Sequence, residues 1–240
     1  EIRGLYIAQE TGDGALFKTI GYTGIVKDLG ISGARVQAPN TAAALAIRNE
    51  GIVENCYSAD GQIVGNEAMG LLRESAVESS VTGCYVTGSV DGGDRAAGIV
   101  GFTYSANISG CWNEAAITTT EQNGVVAGIA GSVQGSKIED CYNEGTVTGA
   151  WDTGGVIGGA SEQSVITGCY NTAAIAGKGR VAGIAAMAGQ AVIDGCYNTG
   201  SVSGVNAVAG ILAMTKGAEP DAKCVVANCF NQGEISAATA

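Results

Sequence analysis

The chain has no histidine and only 2 prolines among its 240 residues. Without histidine, a zinc site would need closely spaced cysteines, and no C-x-x-C pair is present. Aromatic residues make up only 5 % of the sequence, and no apolar run approaches the roughly 18 residues of a membrane span, so no membrane insertion of this segment is expected. No 3.6-residue period persists beyond a turn or two, which excludes long amphipathic helices. Basic residues are scarce, 12 against 23 acidic ones, for a net charge of −11. No basic stripe exists to follow a phosphate backbone, which excludes nucleic acid as a partner. The acidic residues are scattered, as suits the solubility of an elongated surface. The opening Glu1-Ile2-Arg3-Gly4-Leu5 lacks the basic and apolar regions of a signal peptide and begins in mid-pattern. It reads as part of a longer chain.

Glycine, by contrast, is abundant at 39 residues, alongside Ala, Val, Ile, Ser, Thr and Asn. That composition suits short strands joined by tight, glycine-dependent bends. Seven times a cysteine is followed at once by an aromatic residue: Cys56-Tyr57, Cys84-Tyr85, Cys111-Trp112, Cys141-Tyr142, Cys169-Tyr170, Cys196-Tyr197 and Cys229-Phe230. The steps between them are 28, 27, 30, 28, 27 and 33 residues. A fixed period of this size is the signature of stacked repeats.

Around each cysteine the other slots also recur. Three residues earlier stands Val53, Val81, Ile108, Ile138, Ile166, Ile193 or Val226. Six residues later comes Val90, Ile117, Val147, Ile175, Val202 or Ile235, with Ile63 one residue further on in the first unit. About twelve residues before the cysteine lies a small-residue block such as Ala97-Gly98-Ile99-Val100-Gly101 or Gly154-Gly155-Val156-Ile157-Gly158, with a degenerate copy at Met69-Gly70-Leu71-Leu72. Three β-prone segments per unit cannot each bury an apolar face alone, but parallel stacking builds one continuous core. The reading is one all-β body, a parallel β-helix over residues 1–240, with about nine coils of three short strands. At about 4.8 Å per coil it would be roughly 40 Å long. Residues 1–40 form leading coils without cysteine, residues 41–240 the Cys-aromatic repeats, and an insertion falls near 214–224.

The leading coils bear on what the cysteines do. Val26-x-x-Leu29 copies the Val/Ile-x-x-Cys pattern with leucine in the cysteine slot, and Ile2-x-x-Leu5-Tyr6 reads as a further copy. Leu16 takes the place of Ile99. A ligand or nucleophile slot would not accept leucine, whereas a buried apolar slot would. Cys56, Cys84, Cys111, Cys141, Cys169, Cys196 and Cys229 are therefore expected to form an interior ladder, with disulfides between some neighbours as the alternative. Cys224 stands outside the slot, beside the insertion, and is the candidate for a bridge or a reactive thiol. If the cysteines face inward, strand alternation turns Tyr57, Tyr85, Trp112, Tyr142, Tyr170, Tyr197 and Phe230 outward, as a row that either stabilises the stack or binds sugars and peptides. Asn113, Asn143, Asn171, Asn198 and Asn231 follow, and are expected to hydrogen-bond from coil to coil at a bend.

The units Ile138-Glu-Asp-Cys-Tyr-Asn-Glu-Gly-Thr-Val-Thr-Gly149 and Ile193-Asp-Gly-Cys-Tyr-Asn-Thr-Gly-Ser-Val-Ser-Gly204 closely resemble the bacterial GLUG-motif repeat. The resemblance covers nearly the whole chain. It implies a right-handed parallel β-helix within large, secreted, surface-attached bacterial proteins described as adhesin-like, with no cofactor and no defined catalytic residues to carry over. Some relatives accompany zinc peptidase domains, a role excluded for this segment by the lack of His and of H-E-x-x-H. The expected function is a non-catalytic extracellular module, a rigid stalk or adhesin-like segment, whose partners would be host or bacterial surface glycans or proteins. The alternative is a carbohydrate-binding or carbohydrate-active β-helix.

Two clusters could carry chemistry. Glu114 and Glu144 occupy equivalent slots, which stacking would place about 5 Å apart, near the separation of a retaining glycosidase pair. Asp91-Gly92-Gly93-Asp94 reads as a turn, since two carboxylates are too few for a calcium shell. No G-K-S/T follows any glycine-rich stretch, so no phosphate loop is present.

Overall fold

The computed structural model describes residues 1–216 and 223–238; residues 217–222, within the expected insertion, lie outside the described residues. The regular elements are all β-strands, and they wind into three parallel sheets. The first sheet stacks eight strands, from Phe17–Ile20 through Val100–Tyr104, Ala130–Gln134, Ile157–Ser161 and Ala185–Ala188 to Leu212–Thr215. The second stacks eight more, from Ile25–Lys27 to Val225–Ala227. The third and broadest holds 20 segments and carries everything from each aromatic residue to the next glycine-rich block. Along it Ile7, Val36, Ile63, Val90, Ile117, Val147, Ile175, Val202 and Ile235 fall in one register. The expected nine coils are thus eight turns that close through all three sheets, plus one extra pass over the third.

Why the chain turns where it does is visible in the residue before each cysteine. Asp28, Asn55, Gly83, Gly110, Asp140, Gly168, Gly195 and Asn228 all have φ between 50° and 62°. Only Gly, Asn and Asp enter that left-handed region readily, so these types recur at this corner. The corner ends the second sheet, aims the cysteine inward and lets the next residue face out. The β-branched slot three residues earlier is in register from Val26 to Val226. Its members from Val53 to Ile193 are fully buried, as are Ile99, Ile129, Val156 and Ile184 of the small-residue block. Each such side chain contributes about 1.5–3 kcal/mol by leaving water.

Two sequence-based expectations change. Leu29 does lie in the cysteine slot, because Gly30 pairs with Tyr57. Leu5 does not. Ile2 pairs with Ile31, which pairs with Ser58, and this is the column that later holds asparagine. Tyr6 pairs with Arg35, and Leu5 lies opposite Ala34. The pattern misleads because a second corner has the same local form: Ile2-Arg3-Gly4-Leu5 and Ile31-Ser32-Gly33-Ala34 also place a left-handed residue (φ 63° and 62°) before an inward one. In addition, each later coil has a segment that was not foreseen, such as Val125–Ala127 or Arg180–Ala182, which buries Val126 or Val181 ahead of the glycine-rich block.

Candidate functional site

All eight cysteines are free thiols. Cys56, Cys84, Cys111, Cys141, Cys169 and Cys196 are fully buried, and Cys229 is half-buried at the end of the stack. The backbone N–H of Cys84 donates to the Cys111 sulfur, and that of Cys111 to the Cys141 sulfur, both at 3.4 Å. Each thiol in turn lies within 3.0–3.4 Å of the carbonyl two residues back, as Cys141 does with Glu139 at 3.2 Å. Hydrogen bonding with Cys111 is the largest cause holding the Cys84 thiol up, to about 12. Burial and then the neighbouring cysteines raise Cys141 as well. These are packing residues with weak polar anchors. Cys224, the expected bridge or reactive thiol, is unbridged and half-buried, and burial raises its pKa, opposite to the activation a nucleophile needs.

Immediately outside the cysteines run the seven aromatic rings. Tyr57, Tyr85, Trp112, Tyr142, Tyr170, Tyr197 and Phe230 stack with centroids 4.6–5.9 Å apart and planes within 14°. The N–H of each ring-bearing residue from Tyr85 onward donates to the cysteine carbonyl one coil back, for example Trp112 to Cys84 at 3.0 Å, and that of Tyr57 donates to Leu29 in the same slot, which fixes the stack to the ladder. The row does face outward, but each inner ring has its faces against its neighbours, so the row presents ring edges and phenol groups to solvent. Burial, followed by neighbouring tyrosines for Tyr85 and Tyr170 and by the Glu144 and Glu114 carboxylates for Tyr142, holds all three above the ordinary tyrosine value.

The asparagines form a second ladder in the interior. Asn113, Asn143, Asn171 and Asn198 have no solvent exposure. Each side-chain amide donates to the carbonyl oxygen of the next, at 2.8, 2.7, 2.7 and 2.6 Å, ending on Asn231. It also donates to the backbone carbonyl two residues on, as Asn143 does to Gly145 at 2.8 Å. A ladder of this kind satisfies polar groups that would otherwise be buried without partners.

The two candidate chemical clusters fall differently. Glu114 and Glu144 are both exposed beside the aromatic row, and the Trp112 indole N–H donates to Glu114 at 3.2 Å. Asp91-Gly92-Gly93-Asp94 is not a free turn: it sits within the strand Tyr85–Ala97, where the register shifts between Gly92 and Arg95. Asp91 accepts from the Thr118 hydroxyl at 2.6 Å, and Asp94 pairs with Arg95 at 3.5 Å. Among the described residues no three His, Cys, Asp or Glu converge on a metal position.

A concavity that was not anticipated lies on the outer face of the first sheet. One outward column there reads Arg48, Glu74, Phe102, Ser132, Gly159, Met187, Met214. Side-chain size collapses at Ser132 and Gly159, leaving a notch of about 380 Å³. Met187 walls the notch on one side, and the next residue of the column beyond Ser132 is Phe102, held between the guanidinium groups of Arg73 and Arg95 at 5.0 and 4.9 Å. The only sequence signal was the doublet Gly158-Gly159, and it becomes readable once the columns are aligned.

The GLUG motif family matches residues 122–148, which include the Cys141-Tyr142-Asn143 corner. No curated protein matches the chain. Among solved structures the chain is similar to a "putative immunoglobulin A1 protease" from Bacteroides ovatus, at 17 % identity and a TM-score of 0.59. That likeness covers 87 % of this chain and 60 % of the other, so the chain spans less than two thirds of that structure's length. At this identity the likeness speaks to fold alone. With the coil geometry in place, the chain is a parallel β-helix that carries a GLUG motif at residues 122–148.

Proposed function

We propose that the chain is a rigid, non-catalytic segment of an extracellular bacterial surface protein, a stalk or adhesin-like module that meets surface glycans or proteins. The observation that carries this reading is the unbroken aromatic stack from Tyr57 to Phe230. It runs beside buried cysteine and asparagine ladders, so bending between two coils must disturb all three at once. The partly buried charges are paired with opposite ones: Arg180 with Asp152, and Arg48, Arg73 and Arg95 in a network with Glu50, Glu67, Glu74 and Asp94.

Immunogold labelling of intact cells that make the full-length protein tests the placement: surface label is expected, and label only after permeabilisation would overturn it. Incubating the chain with polysaccharide and protein substrates tests the second half, and turnover abolished by Glu114→Gln with Glu144→Gln would replace the stalk by an enzyme. A carbohydrate-binding role is the second reading, and one specific observation favours it: the notch on the first sheet.

A further inference from the structure

We propose that the notch on the first sheet is a binding site for a short, uncharged saccharide, one or two sugar units long. This goes beyond the stalk reading and does not depend on it, since the site lies on a different sheet from the aromatic row.

The floor of the notch is Gly159 and Ser132, with Met187 as one wall. Its rim carries Gln134, Ser161 and Gln190. The volume of about 380 Å³ is at the small end of the range for small-molecule sites.

What occupies it follows from the hydrogen-bonding groups on offer. Beneath the notch, the strands Ala130–Gln134, Ile157–Ser161 and Ala185–Ala188 are each paired on both sides. No free strand edge is available, so a peptide could not be held there by strand addition. Recognition falls instead to two carboxamides and two hydroxyls, which both donate and accept and therefore match a ligand rich in hydroxyl groups. The charges at the rim, Glu162 and Lys216, are opposite in sign, which favours a neutral ligand over an anion or a cation. The apolar Met187 wall gives a surface for the C–H groups of a sugar ring.

Backbone conformation adds an independent argument. Gly135, at the corner just beyond Gln134, has φ 57° at no steric cost, but the same kind of corner in the next coils holds Glu162 (φ 56°) and Gln190 (φ 47°). A long side chain kept where glycine would be less strained points to a use for that side chain.

The geometry also supplies a clean test. A Cβ built on Gly159 meets nothing closer than the Met187 methyl at 3.7 Å, so a larger residue there fills the notch without touching the core. Ligand-observed NMR and calorimetry with maltose, cellobiose, lactose and chitobiose should detect at least one of them binding at about millimolar strength. Gly159→Leu should weaken that binding by about tenfold or more, and Gln134→Ala or Gln190→Ala by about three- to tenfold each. Trp112→Leu, on the aromatic row, should leave it unchanged. Thermal melts of each variant confirm folding. The proposal is overturned if none of the four disaccharides binds, if binding survives in folded Gly159→Leu, or if a hydrocarbon dye occupies the notch while the sugars do not.

Discussion

The Asn113 amide donates to the side-chain oxygen of Asn143 at 2.8 Å, across the boundary between two coils and out of contact with water. In the same slot one coil earlier stands Val86, fully buried, so the ladder begins where the slot changes from apolar to amide.

That arrangement predicts unequal costs along one column. Replacing Asn143 by Leu strands one Asn113 amide N–H, the Asn171 side-chain oxygen and the Gly145 carbonyl, each of which bonds Asn143 in the ladder. The expected loss is about 3 kcal/mol or more, since each buried unpaired group costs about 1–3 kcal/mol. Asn231→Val, at the half-buried far end of the ladder, should cost less, since it strands only one Asn198 N–H and the Gly233 carbonyl. Urea unfolding of the two variants checks the order, and equal losses would contradict it.

Two glycines four positions apart in sequence should behave oppositely. A Cβ on Gly155 would lie 2.1 Å from the Gly183 carbonyl oxygen, against backbone that cannot give way. Gly155→Ala should destabilise by about 2–4 kcal/mol. Gly159→Ala, with 3.7 Å of clearance, should be near neutral in the same denaturation assay.

Thiol chemistry should separate the cysteines. In the native state Ellman's reagent should titrate Cys224 and Cys229 readily while the six fully buried thiols react only on unfolding. Cys141→Val should be tolerated within about 1.5 kcal/mol, as an apolar slot of similar volume allows. Rapid titration of all eight in folded protein would contradict the ladder.

The aromatic row predicts the response to alkali. Folding raises the pKa of Tyr85, Tyr142 and Tyr170, chiefly by burial. The folded state then holds protons that the unfolded state has lost, so this part of the stability is complete below about pH 10, the unfolded value, and falls as pH rises through the raised values. The tyrosine contribution to melting temperature should be flat up to about pH 9 and fall above about pH 10. A Tyr85→Phe, Tyr142→Phe, Tyr170→Phe triple variant should show a shallower decline; an identical decline would remove the tyrosines from the account.

The fold was readable wherever residue type alone determines a slot. Cysteine, β-branched and small-residue positions recur because the interior sees the same volume in every coil, and Leu29 and Leu16 were placed correctly on that basis. Leu5 was misplaced because two corners share one local recipe, a left-handed residue followed by an inward apolar one, and only pairing partners tell them apart. The asparagines were recognised as a ladder, but their complete burial depends on Gly128, Gly155 and Gly183 packing against them, a relation between residues roughly fifteen positions apart in sequence. The notch is a property of a column across coils, Phe102 to Met187, and no single repeat contains it.

Because every column repeats with the coil, the molecule has a natural unit of length. Cutting out Tyr142 through Cys169 would join Cys141 directly to Tyr170, and the thiols, rings and amides on either side would meet equivalents of themselves. The same holds for insertion. A lineage can therefore lengthen or shorten this rod by one step at a time without designing a new interface, while a change of a few residues in mid-coil would break every column at once. Reach, in such a protein, is inherited in whole numbers.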